Sequence, residues 1–230
     1  MRFSRYFEVT MAKMTRAEIR NKARKQLGET TSSFWSDTEL NLWINDAVDD
    51  IAFRTRCLRT KSTMTAVVDT MEYTLSTYFP TARKFTEVYY KVSGDTWRKL
   101  EETDRKELDL ENDGWLSASS GAPYKFAYDH EQDWFLIWPP PDSDNVGGAY
   151  VKAYYTFKPT DMTADTDYPQ IPDVLHELIV EAVKIVGFES RGLGDRANNS
   201  RSIFNSGLKD YMINSDQEED VIQMRNYKCR

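Results

Sequence analysis

The chain is poor in the side chains that most often carry chemistry. Among its 230 residues there are two cysteines, Cys57 and Cys229, and two histidines, His130 and His176. Two cysteines so far apart build neither a disulfide framework nor a zinc spacing, a usage that suits a reducing compartment. A lone histidine lacks the base or ligand partners that catalysis demands. His130 sits in Asp129-His130-Glu131-Gln132-Asp133, which reads as a polar hairpin tip, and His176 sits in the first turn of a helix. Surface or capping roles are expected for both, and no His-x-x-x-His or Glu-x-x-His spacing accompanies them.

Long apolar runs are missing as well. None approaches the roughly 18 residues that span a bilayer. The basic N-terminus has no apolar stretch behind it, so it does not read as a secretory signal. A soluble protein of a cytoplasm-like compartment, without membrane contact, is expected. Phosphate cradles are absent in their proper context: Gly192-Leu193-Gly194-Asp195 follows a helix, whereas the fingerprint follows a strand. Ser119-Ser120-Gly121 has no nucleophile-elbow setting. Asp129, Glu131 and Asp133 alternate like calcium ligands, without the required glycine and distal glutamate.

The best enzymatic candidate is Asp46, Asp49 and Asp50. Asp46 and Asp50 stand four apart on one helix face, and paired carboxylates can hold Mg²⁺ in nucleases. The competing reading is a solvated face, or a contact to a neighbouring subunit or channel. No cofactor or metal is expected, and the chain reads as not an enzyme.

What is present is charge and aromatic surface. The formal net charge of −7 argues against a nucleic-acid-coating role, which needs basic surface. The charge is uneven: residues 1–25 carry eight Lys or Arg against Glu8 and Glu18, whereas 101–113 is heavily acidic. Such segments usually mark solvated faces. The 13 Tyr, 11 Phe and 6 Trp serve cores and protein interfaces equally. Tyr89, Tyr90, Lys91, Trp97 and Arg98 mix aromatic and basic character, but strands of this kind are usually core and cross-strand pairs.

Periodicity predicts a helix over 15–27, with Ala17, Ile19, Ala23 and Leu27 as its stripe and Gly28 as its stop. Ser36-Asp37-Thr38-Glu39 is a capping box. After it, Leu40, Trp43, Ile44, Ala47, Val48, Ile51 and Ala52 recur at helical spacing to about Arg56. From Leu58 to Phe157 the pattern turns to strands over 62–68, 72–76, 85–92, 97–100, 124–128, 134–138 and 150–157, with a short helix over 104–110. Pro139-Pro140-Pro141 stops a strand. Beyond a linker at 158–170, Leu175, Leu178, Ile179, Ala182, Val183 and Val186 mark a third long helix. A fourth, more polar one runs from Asp195 to about Met212, and 214–230 reads as a polar, flexible tail.

The fold expectation is α+β: N- and C-terminal helices form a small helical bundle, with an antiparallel β-rich module inserted between the second and third helices. The segments are 1–57, 58–157, 158–213 and the tail 214–230.

The order of these pieces is familiar. Trp35-Ser36-Asp37-Thr38-Glu39-Leu40 leading to Trp43-Ile44-Asn45-Asp46-Ala47, then Gly121-Ala122-Pro123-Tyr124-Lys125-Phe126, then Trp134-Phe135-Leu136-Ile137-Trp138-Pro139, and finally Tyr168-Pro169-Gln170-Ile171-Pro172 resembles the head-to-tail adaptor (neck) proteins of tailed bacteriophages. The similarity covers roughly residues 15–212. The resemblance implies a virion structural protein that assembles under the portal as a ring, commonly of twelve copies. It would extend the channel for double-stranded DNA without sequence-specific binding and offer a platform to neck or tail proteins. Assembly would take place in the host cytoplasm, and the product would sit in the neck of the virion.

The resemblance also points to a C-terminal segment docking into the portal, here Ile213, Asp216, Glu218, Glu219, Asp220, Val221, Ile222, Met224 and Tyr227. Subunit or channel contacts are expected at Asp46, Asp49, Asp50, Trp97 and Trp115. Three alternatives remain: a head- or tail-completion protein not bound to portal, a metal-dependent nuclease using the three aspartates, and a glycan-binding module with exposed Trp97 or Trp115 as its platform.

Overall fold

A computed structural model of the chain describes residues 13–29, 34–91, 96–111, 114–146 and 150–227, with 145–146 and 216–227 described by backbone alone. In chain order the elements begin α1 (Arg16–Gln26), α2 (Asp37–Thr55), β1 (Arg59–Thr65), β2 (Glu72–Thr74), α3 (Leu75–Tyr78) and β3 (Ala82–Lys91). There follow β4 (Arg98–Lys99), β5 (Glu101–Glu102), α4 (Arg105–Glu111), β6 (Lys125–Asp129), β7 (Trp134–Trp138) and α5 (Ser143–Val146). The chain closes with β8 (Tyr150–Phe157), α6 (His176–Ser190) and α7 (Gly194–Tyr227). It is an α+β protein of two compact units: Met1–Leu58 with Pro159–Arg230, and Arg59–Lys158.

The first unit is helical, with α1, α2, α6 and α7 packed on one another. The α2 start is set as its sequence predicts, by Ser36 accepting from the Glu39 amide while Glu39 reaches back to the Ser36 amide. A second capping box, Thr15 with Glu18, starts α1. Leu40, Ile44, Val48 and Ile51 are buried on the inner face of α2, each contributing about 1.5–3 kcal/mol of transfer free energy. The third long helix is preceded by a 3-10 turn at Asp173–Leu175.

Glycine leaves room for leucine side chains to close on α6 and α7. A methyl group at Gly187 would lie 2.7 Å from a Leu27 methyl, and one at Gly207 would lie 2.5 Å from a Leu178 methyl. The last helix runs to Tyr227, past the end near Met212 expected from its weakening stripe. The correction has a local cause: no Gly or Pro follows Gly207, and Gln, Glu, Met and Arg have good helix propensity.

The β unit is a two-sheet sandwich. One sheet has the order β1-β8-β3-β4 and the other β2-β7-β6-β5. All pairings are antiparallel except the short β5–β6 contact. The clean alternation of β8 places Val151, Ala153 and Tyr155 on the inner face. There they meet Phe85, Val88 and Tyr90 of β3 and Phe126, Phe135 and Ile137 of the other sheet. Phe79 and Phe85 stack edge-on at 5.2 Å between ring centroids, an arrangement that suits the ring quadrupoles.

The second sheet is covered on its other side too. Leu108 of α4 and Trp115 pack there on Ala127, Trp134, Leu136 and Trp138. Strand β7 is therefore buried along its whole length. Several strands differ from the pattern-based expectation: β3 begins at Ala82, three residues early, β5 has no expected counterpart, and β1 and β2 differ in their bounds. Strand β1 begins at Arg59, ends at Thr65, and gives way to a turn in which Asp69 has φ 54°. Strand β2 stops at Thr74 because Leu75–Tyr78 closes a single helical turn, with the Phe79 amide donating to the Leu75 carbonyl at 2.8 Å.

Candidate functional site

Among the described residues, the two histidines are satisfied locally. His176, expected at the surface or as a cap, is fully buried. Its Nδ1 accepts the Met14 amide at 3.1 Å, and its Nε2 faces the Ile171 carbonyl oxygen at 3.3 Å. Burial pushes its pKa down, which favours the neutral ring that the Met14 bond requires. The surface expectation failed because Leu175 and Ile171 carry the ring inward with them.

His130 does lie at an exposed hairpin tip, with Nε2 2.7 Å from the Arg83 carbonyl oxygen. Around it Asp129 accepts from the Glu131 and Gln132 amides, and Asp133 accepts from the Ser76 amide and hydroxyl. These carboxylates are turn-forming groups, and the Ser76 bonds hold Asp133 below its ordinary pKa. Among the described residues no group of three or more His, Cys, Asp or Glu is placed to hold a metal ion.

Asp46 and Asp50 do share a feature, a cleft of about 320 Å³ between α2, α6 and α7 that is also lined by Trp43, Arg54, Arg201 and Phe204. Both of its cations are engaged in ion pairs. The Arg54 Nε donates to Asp50 at 2.8 Å, the Arg54 guanidinium lies 5.7 Å from the Phe204 ring centre, and Arg201 pairs with Glu189. Asp49 is not among the lining residues. Outward on α2, Leu42 and Phe53 are 59% and 66% exposed, three turns apart with Asp46 and Asp49 between them.

On α7 the packed stripe is Ala197, Ser200, Phe204 and Leu208. A second cleft, of about 610 Å³, opens where Val174, Leu178, Tyr211, Asn214 and Ser215 meet. Ile213 is exposed. Asp216, Glu218, Glu219, Asp220, Val221, Ile222, Met224 and Tyr227 lie on the helical backbone of α7, and their side chains fall outside the described residues. Trp97 is exposed, with the Lys152 ammonium 3.9 Å from its ring centre. Trp115, expected exposed, is 4% accessible. Its indole N–H donates to Asp109 at 2.6 Å while its ring fills the pocket beneath α4, so it is core and cannot serve as a surface platform.

Sequence reading also missed a group of buried arginines. The basic N-terminal segment was expected to be solvated, yet Arg16, Arg20 and Arg24, at four-residue spacing on α1, are all buried. Arg16 donates to the Met162 and Thr163 carbonyls at 2.7 and 2.8 Å, and with Arg20 it grips Asp165. Those bonds, Arg20 first, hold the Asp165 carboxyl at a pKa of about 2. Arg24 binds Glu29 at 3.0 Å with both side chains buried, and Glu29 also takes Arg191 at 3.0 Å. The Arg191 guanidinium in turn stacks 4.2 Å from the Trp35 ring centre.

Asn45 completes the tie, accepting from the Met162 amide at 3.1 Å and donating to the Met162 carbonyl at 3.2 Å. The segment read as a linker is thereby fastened to α1 and α2. The four-residue repeat of arginine was the available signal, but a repeated cation on a helix more often faces water.

Among the described residues the geometry gathers no catalytic or metal-binding cluster, and comparison with known proteins gives a family match. The model of the SU10 adaptor protein family matches residues 14–226. No curated protein matches the chain.

Proposed function

Because the chain belongs to the SU10 adaptor protein family, a family of structural phage proteins, we propose that it is the head-to-tail adaptor forming a ring beneath the portal. The observation that carries this reading is the family match across nearly the whole chain, through both the helical unit and the β unit. In this role the ring extends the channel for the genome, and its tail-side face receives neck or tail proteins. The helical unit builds the ring, the β unit meets neighbours, and the end of α7 from Ile213 onward reaches the portal.

Several features support this assignment of parts. A helix of 34 residues extends ~50 Å, and among its described side chains the packed stripe runs from Ala197 to Leu208. Leu42 and Phe53 offer apolar anchors on α2, where subunit contacts would form. A net charge of −7 lets DNA pass without adhesion, since fixed negative charge repels phosphate.

Truncation before Asn214 tests the reading. Co-sedimentation with the portal protein is expected for the full chain and should be lost in the truncated one, while the melting curve of the truncated chain stays close to that of the parent. A truncated chain that binds portal as well as the parent removes the docking role from α7. A full chain that co-sediments only with tail proteins turns the assignment to a completion protein.

A further inference from the structure

Within the β unit, charge is sorted by side. Across the outward face of the β1-β8-β3-β4 sheet, Thr63, Lys152, Tyr89 and Lys99 stand in one row. The rows beside it are Lys61, Tyr154 and Glu87, and Thr65, Tyr150 and Lys91. These rows contain a single carboxylate, Glu87, and it is already occupied: Lys99 donates to it at 2.8 Å and the Tyr89 hydroxyl at 3.0 Å. The Lys99 bond holds the Glu87 carboxyl below its ordinary pKa. Lys61, Arg59 and Tyr154 line a shallow depression of about 710 Å³ on this face. Lys91 and Lys152 lie over Trp97, with ring-centre distances of 5.8 and 3.9 Å.

The opposite side of the sandwich carries an excess of carboxylates around helix α4, where Lys106 is also exposed and Arg105 pairs with Glu72. Phe126, Phe135 and Ile137 of the second sheet look into the core shared with the first, whereas Leu136 and Trp138 look the other way, toward Leu108 of α4. Helix α4 therefore lies on the far side from the basic face. It presents Glu107, Asp109 and Glu111 to solvent, with Leu110 among them 88% exposed and Leu116 nearby at 66%. Glu111, Glu107 and Glu101 together raise the pKa of Lys125, chiefly through the hydrogen bond that Lys125 donates to Glu111.

We propose that the basic face of one copy docks on the acidic α4 surface of a second copy, an inference that rests on the ring-forming role. Both halves of the complementarity are carried by one chain, on opposite sides of one rigid sandwich. Such a head-to-tail contact uses two different patches of each copy, and it closes into a ring when the rotation between copies allows. Leu110 and Leu116 supply apolar anchors to set against the Trp97 and tyrosine surface, with charges around them giving register and selectivity. DNA is the less favoured occupant of the basic face. The β unit carries more carboxylates than cations, and the whole chain is at −7, so no long-range attraction draws phosphate to it.

Charge reversal on the full-length chain tests this contact. One variant carries Lys61→Glu and Lys152→Glu, and another carries Glu107→Lys and Glu111→Lys. Self-association is read by sedimentation velocity at about 50 mM salt, where charge contacts are least screened, with and without portal protein. Melting curves establish that both variants are folded. Each variant alone is expected to associate at least about tenfold more weakly than the parent. An equimolar mixture should assemble again, because each variant then presents what the other has lost.

A mixture that stays dissociated, or a variant that assembles like the parent, overturns the contact. If the parent forms rings on portal and both reversals leave them intact, the contact falls and the adaptor role stands. A parent that neither self-associates nor binds portal sinks both. Binding of a short DNA duplex that Lys61→Glu with Lys152→Glu abolishes, while self-association persists, reassigns the face to phosphate.

Discussion

The helical unit and the β unit place charge in opposite ways. In the helical unit Arg16, Arg20, Arg24 and Glu29 are buried, while Leu42 and Phe53 stand in water. In the β unit the interior is an aromatic cluster built on Phe79, Phe85, Phe126 and Phe135, and, apart from buried Lys125 on Glu111, the described charged side chains lie outside it. The difference separates two uses of an ion. Buried guanidinium–carboxylate pairs position chain segments and are costly to break singly, because the remaining partner keeps its desolvation penalty. Exposed charges contribute little to stability and act mainly in steering and selecting partners.

The sharpest break in that comparison comes from the interior of each unit. Phe135→Ala removes a fully buried ring at the centre of the sandwich and should destabilise the β unit by about 3–5 kcal/mol. Hydrogen exchange resolved by segment is expected to lose protection over β3, β6, β7 and β8. Equal loss throughout the helical unit would mean that the two units do not differ as described. Glu29→Ala removes the shared acceptor of Arg24 and Arg191 and should cost the helical unit about 3 kcal/mol, read by the same exchange measurement over α1 and α6. A change below about 0.5 kcal/mol would mean that water replaces the carboxylate there, which contradicts the burial of that pair.

Ser36→Ala tests the local encoding of α2 and should cost about 1 kcal/mol, seen as a lower denaturation midpoint with an unchanged slope.

The smallest effect is a pH slope. Burial depresses the pKa of His176 below its ordinary 6.5, so the unfolded chain takes up a proton that the folded chain resists. Stability is then full above pH 6.5 and falls as the pH drops from there toward the lower folded value. His176→Gln should flatten that part of the profile, and a slope unchanged by the substitution assigns it to other groups. Asp165, at about 2, acts lower, where stability is lost as pH falls below 3.8.

Local signals were legible and non-local ones were not. The Ser36–Glu39 box and the stripe from Leu40 to Ala52 place α2, β8 has the bounds that its alternation indicates, and β7 those of an apolar run stopped by prolines. The α+β class follows from the order of those patterns. Strand partners do not: β1 meets β8 and β2 meets β7 across long stretches of chain, and periodicity carries no information about which edges join. Strand β5 is only two residues long and leaves no periodic trace.

At the candidate surfaces, the aspartates of α2 could be placed on a helix, but their pairing with Arg54 depends on rotamers. Trp115 misled because an isolated tryptophan in a polar stretch looks exposed until the sheet beneath it is known. The sorting of charge between the two faces of the sandwich needed the register of every strand.

The most direct test of the adaptor role is imaging of the full chain incubated with its portal protein, by negative stain and then at higher resolution. The account predicts closed rings of this protein seated coaxially on the portal, with α7 at the contact. Portal particles that carry no added density at any ratio of the two proteins would contradict it.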